Sequence, residues 1–99
     1  MVVLRIEHAT ADFDSWKQAF DSDPVGRARS GVRSYQILRG VDRPNEVMID
    51  LEFETAEAAE ALLLAMRGVW ERVQGGLIEE PHVRITERIE SVELPSAPR

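Results

Sequence analysis

From Val2 to His8 apolar and charged residues alternate. Val2, Leu4, Ile6 and His8 share one parity, and Val3, Arg5 and Glu7 the other. Side chains on an extended chain point alternately to its two faces, so this segment predicts a half-buried strand. The period then changes. Phe13, Trp16 and Phe20 recur at helical spacing. Asp12 stands where a helix N-cap belongs, and Asp14 puts negative charge at the positive end of the helix dipole. Asp21 to Pro24 ends this helix, because the residue before a proline is pushed out of helical geometry. Val25 to Gly31 reads as a loop with at most one short turn.

Alternation returns at Val32 to Arg39 and again at Val47 to Phe53. The turn residues Asp42, Pro44 and Asn45 lie between them, so the pair predicts a hairpin. Thr55 then caps a helix rich in alanine and leucine that runs to about Gln74, where Gly75 and Gly76 stop it. Gly68 inside it marks a kink or a break. Pro81 precedes the last strand, expected from Val83 to Val92. Residues 1–93 are read as one domain, and 94–99, with two prolines, as a frayed tail. Strand, helix, strand, strand, helix, strand is the order of an α+β ferredoxin-like sandwich. It has a four-stranded antiparallel sheet with both helices on one face, and right-handed crossovers leave the first and third strands central.

A chain of 99 residues supports one core, and a hydrophobic fraction of 43% argues against disorder. No apolar run is long enough to span a bilayer, and the N-terminus lacks the pattern of a signal peptide. The expected compartment is therefore the cytoplasm. The absence of cysteine excludes disulfides, thiolate metal sites and a cysteine nucleophile. A net charge of −6 disfavours nucleic acid as a partner. Arg27, Arg29 and Arg33 could gather into an anion-binding patch, although a solvated loop is the plainer reading.

The run His8-x-x-x-Asp12-Phe13-Asp14-x-Trp16-Lys17-x-x-Phe20-Asp21, then Gly31-Val32 and the strand VMIDLEF, resembles small proteins of the dimeric α+β-barrel superfamily. These are related to antibiotic-biosynthesis-monooxygenase domains, and some are termed cyclases. The resemblance covers residues 2 to about 92. It implies a homodimer paired sheet against sheet, with a small ligand held between helices and sheet in each subunit. It also implies, for an oxygenase, catalysis without metal or flavin cofactors on flat aromatic or polyketide-like substrates.

Topology brings His8, Asp12, Trp16, Trp70 and His82 to one rim of the sheet. His8, on the face that should lie under the helices, is the candidate catalytic acid–base. The plainer alternative is a hydrogen bond to the adjacent helix start. Trp16 and Trp70 are candidate walls of a ligand slot, with Phe20 and Asp12 as further candidate contacts. Core packing is the competing role for the tryptophans, and the favoured one for Phe13 and Phe20. His82 has the parity of Arg84 and Thr86, so without a bulge it faces away, and no metal site is expected. Haem chemistry is disfavoured because the first strand offers His8 where haem-degrading members have asparagine. The face away from the helices is read as carrying Arg5, Glu7, Arg33, Arg39, Asp50, Glu52, Arg84, Arg88 and Glu90, which suits a polar barrel interior. Three functions compete: a cofactor-independent enzyme, a non-catalytic small-molecule binding module, and a structural dimer.

Overall fold

The computed structural model of the chain describes residues 1–72 and 78–97. The expected helix stop at Gly75 and Gly76 lies outside them. Six elements follow in order: β1 (Val2–Ala9), α1 (Phe13–Asp21), β2 (Ser34–Arg39), β3 (Glu46–Phe53), α2 (Ala56–Arg72) and β4 (Glu79–Glu87). The strands form one antiparallel sheet in the order β2-β3-β1-β4, so the two central strands are those expected.

The parity of β1 and β3 decides which face is buried. Leu4, Ile6, Val47, Ile49, Leu51 and Phe53 form the floor of the core; Trp16, Phe20, Ala59 and Leu62 come down on it from the helices. α1 stands off from the sheet farther than α2 does, and its aromatic side chains bridge the gap. Asp12 caps α1 as its residue type predicts: its carboxylate accepts from Ser15 N at 3.1 Å and from Ser15 Oγ at 2.5 Å. α2 runs through Gly68 without interruption. Seventeen residues of tertiary packing outweigh one unfavourable glycine.

Two expectations need correction. The last strand begins before Pro81, not after it, and ends at Glu87. β4 is an edge strand, where the missing N–H of a proline breaks no ladder bond if it faces outward. A bulge opposite the step from Glu7 to Ala9, with Glu80 at φ 50°, absorbs the irregularity. Beyond the pair Val2↔Glu87 and a last bond from Arg88 N to Met1 O, β4 has no strand to pair with.

The second correction concerns β2. Tyr35↔Leu51, Ile37↔Ile49 and Arg39↔Val47 are paired, so Arg39 shares the helix-side face, and Arg33 has the same parity. Arg39 lies 4.7 Å over the ring of Phe13, and Arg33 pairs with Glu54. As an edge strand, β2 can keep long cationic side chains on the buried face at its two ends, because their heads reach water there.

The outer face carries Arg5, Glu7, Asp50, Glu52 and Arg84 in rows, whereas Arg88 and Glu90, also expected there, lie beyond the end of β4. Gln36, Asp50, Arg5 and Arg84 form the middle row across all four strands. Arg5 grips Asp50 with both ends of its fork, Nε to Oδ1 at 2.7 Å and Nη2 to Oδ2 at 2.9 Å. Gln36 adds a bond at 2.9 Å. Asp50 is only 6% exposed, and the Arg5 hydrogen bonds hold its carboxyl below the usual carboxylate range.

Candidate active site between helices and sheet

The end of β1 is fastened before α1 begins. Thr10 N donates to Asn45 O at 2.9 Å, and Thr10 Oγ1 donates to the carbonyl of Asp12 at 3.3 Å. This tie fixes His8 on the helix side of the sheet, opposite Val47, with Trp16 above it at a ring separation of 5.3 Å. His8 is 5% exposed.

Its two nitrogens differ. Nδ1 lies 2.9 Å from the carbonyl of Ala9, which can only accept, so Nδ1 carries the proton. Nε2 is then a bare acceptor. Among the described residues it is the one buried side-chain nitrogen or oxygen without a hydrogen-bond partner. Burial lowers the imidazole pKa, against a smaller opposing effect of the Ala9 bond, so the ring is held neutral. Leaving such an acceptor unmade costs about 1–3 kcal/mol, which a hydroxyl group on a ligand would recover.

Nε2 belongs to a residue lining a cavity of about 250 Å³ between α1, α2 and the sheet. Ile6, Ile49 and Leu51 form its floor. Trp16 and Phe20 line it from α1, Met66 and Trp70 from α2, and Val25 and Arg27 from the loop after α1. The lining is almost wholly apolar, with a few polar groups in defined places, as in small-molecule sites.

Of the residues singled out from sequence, His8, Trp16, Phe20 and Trp70 meet at this cavity. Asp12 does not line it: it is exposed, and Ser15 holds its carboxyl below the ordinary range, as a helix cap. His82 pairs with Glu7 on the outer face, so the sheet separates it from this cavity, although it and His8 both line a separate cleft at the rim. The described residues contain no group of three or more metal-ligating side chains. Arg27, Arg29 and Arg33 do not form a patch. Arg27 turns back onto Phe20, Arg33 goes to Glu54, and the Arg29 side chain lies against Gly26.

Arg27 is a charged cavity residue that periodicity could not place. It sits in a loop, where no repeat fixes direction. A retrospective signal exists in Asp23, four residues before it. Asp23 Oδ1 accepts from Arg27 N at 2.8 Å and turns the loop back toward α1.

The chain matches no protein-family model and no curated protein sequence. Solved structures do resemble it. A mutant of SnoaB, a cofactor-independent oxygenase from Streptomyces nogalater, superposes with a TM-score of 0.70 at 12% identity, over 91% of this chain and 94% of that one. A dimeric ferredoxin-like protein from an uncultured marine organism gives 0.65 at 10% identity, over 92% and 97%. A candidate antibiotic biosynthesis monooxygenase from Deinococcus radiodurans gives 0.61 at 10% identity, over 97% and 100%. These likenesses establish the fold alone: the chain is an α+β ferredoxin-like sandwich, as those proteins are. At such identities fold does not carry function with it.

Proposed function

We propose that the protein is a small-molecule enzyme of the cofactor-independent monooxygenase or cyclase-like type, acting on a flat aromatic or polyketide-like substrate in the helix–sheet cavity. The observation that carries this reading is the bare, buried Nε2 of a neutral histidine that lines an apolar cavity walled by aromatic rings. A phenolic or enolic O–H set against Nε2 gains a hydrogen bond that the empty site lacks. It can then pass its proton to the ring, which burial makes a weaker base than a free imidazole but keeps in the unprotonated form that a general base needs. The resulting electron-rich anion is the species that reacts with dioxygen. The balanced change turns a ring methylene into a carbonyl: one oxygen atom enters the product, and the other leaves as water with the two hydrogens. The imidazolium returns its proton to the departing oxygen. Trp16 and Trp70 hold the plane of the substrate and keep water out.

A homodimer joined through the outer sheet face belongs to the same proposal. Leu38 is exposed on that face. Ile89, Val92 and Leu94 are exposed on the segment after β4. The dimeric ferredoxin-like neighbour supports a homodimer, and the exposed outer sheet face supports this choice of joint.

Oxygen uptake with a hydroxyanthrone as substrate tests the activity. His8→Ala should lower turnover by about 10²–10⁴-fold, the usual share of a positioned base, while the substrate still binds. A His8→Ala protein that turns over at the full rate would eliminate the catalytic role. Binding with no oxygen uptake by the unaltered protein would favour a carrier or sensor instead.

A further inference from the structure

The cavity has a second polar end. Its polar lining residues are His8, Ser22 and Arg27, and the Ser22 hydroxyl is committed to the carbonyl of Ala19. A row of rings connects the other two. His8 lies 5.3 Å from Trp16, the two rings tilted by 57°, and Trp16 lies 5.3 Å from Phe20. The guanidinium of Arg27 lies 3.9 Å over the ring of Phe20 and 5.1 Å from the ring of Tyr35, and those two rings are themselves 5.2 Å apart. Trp16 and Phe20 are one helical turn apart, so the row follows α1 from its start to its end. A flat molecule lying along it would meet an imidazole acceptor at one end and a cation at the other.

Arg27 has partners of its own. Nη1 donates to the carbonyl of Phe20 at 2.8 Å and stands 3.5 Å from Asp23 Oδ1. These contacts hold the guanidinium at the α1 C-terminus, where positive charge is favoured. They use one corner of a five-donor fork. The side chain is 15% exposed and also borders a surface cleft beside Asp23 and Ser34, so it lines both that cleft and the cavity.

The geometry points to Arg27 as the specificity-determining residue of the cavity, selecting aromatic ligands that carry an acidic group at the end opposite the hydroxyl bound by His8. This rests on the reading of the cavity as a ligand site, and it names the ligand class: hydroxylated aromatic acids. The remaining N–H groups of the fork match a carboxylate, which two parallel bonds can hold. A neutral ester of the same shape offers only a weak acceptor.

Isothermal titration calorimetry at neutral pH and low salt tests the inference with three probes. They are a hydroxynaphthoic acid bearing its two groups on opposite rings, the methyl ester of that acid, and naphthol. The acid should bind roughly ten- to a hundredfold tighter than the ester, the range of charge-assisted hydrogen bonds. Arg27→Gln should erase the preference for acid over ester. Arg27→Lys, which keeps the charge but not the fork, should leave part of it. The lysine variant also serves if the glutamine variant does not fold. A purely structural role at the helix end would not move the ratio of acid to ester affinity. Equal binding of acid and ester by the unaltered protein, or a preference that survives Arg27→Gln, would overturn the inference and leave the cavity reading intact. Failure of all three probes to bind would overturn both.

Discussion

His8 combines a satisfied nitrogen with an unsatisfied one, and the difference is a matter of a single carbonyl. The alternation of β1 was enough to place the ring under the helices. It could not show that Ala9 O would fix the tautomer and leave Nε2 bare, because that depends on backbone direction at the strand end. The same burial has a pH signature. In the unfolded chain the imidazole takes up a proton near pH about 6.5, and in the folded protein only at lower pH. Between those two values the unfolded chain binds more protons. Stability from this group is therefore complete above pH about 6.5 and is lost as the pH falls toward the folded value. Urea unfolding midpoints should accordingly drop less from pH about 7 to pH about 5 in His8→Ala than in the unaltered protein. Identical drops in the two proteins would show that the ring is not desolvated as described. Arg27 was not legible at this scale, since loops lack the repeat that gives direction to side chains on strands and helices.

Among the elements, the long ones were easiest to recognise. β1, β3 and α2 follow their periods through most of their length, so their existence and facing came directly from the pattern. β4 was displaced because proline was treated as a boundary, and only the position of the strand at the sheet edge shows why it is tolerated. β2 failed on charge: Arg33 and Arg39 look like outer-face residues until Tyr35 and Ile37 fix the parity against Leu51 and Ile49. α2 offers a direct check on its continuity. A Cβ added at Gly68 meets nothing within 4 Å, and the residue lies inside the helix. Gly68→Ala should stabilise the protein by about 0.5–1 kcal/mol in chemical denaturation, since alanine loses less backbone freedom. A destabilising effect would mean that the helix bends at Gly68.

At the scale of the whole molecule, the monomer carries apolar surface that the chain itself does not cover. Its radius of gyration is 14.8 Å, against about 13 Å for a compact chain of this length. Ile89, Val92 and Leu94 are exposed beyond β4. The proposed second copy, docked on the outer sheet face, would cover Leu38 there. Native mass spectrometry should find a dimer, and Leu38→Glu should shift it toward monomer by placing an unpaired charge at the joint. A monomer at micromolar concentration in the unaltered protein would remove the pairing from the proposal but leave the cavity untouched, because its described lining comes from one chain.

The central claim is that Nε2 of His8 is a neutral acceptor waiting for a ligand. Long-range ¹H–¹⁵N spectroscopy of protein labelled at histidine observes it directly. There are only two histidines, and exposed His82 on the outer face serves as an internal reference. The account predicts an unprotonated Nε2 and a protonated Nδ1 for His8 at neutral pH. Adding a hydroxylated aromatic should shift Nε2 of His8 and leave His82 in place. A His8 ring protonated at Nε2, or one whose resonances ignore such ligands while His82 responds, would contradict it.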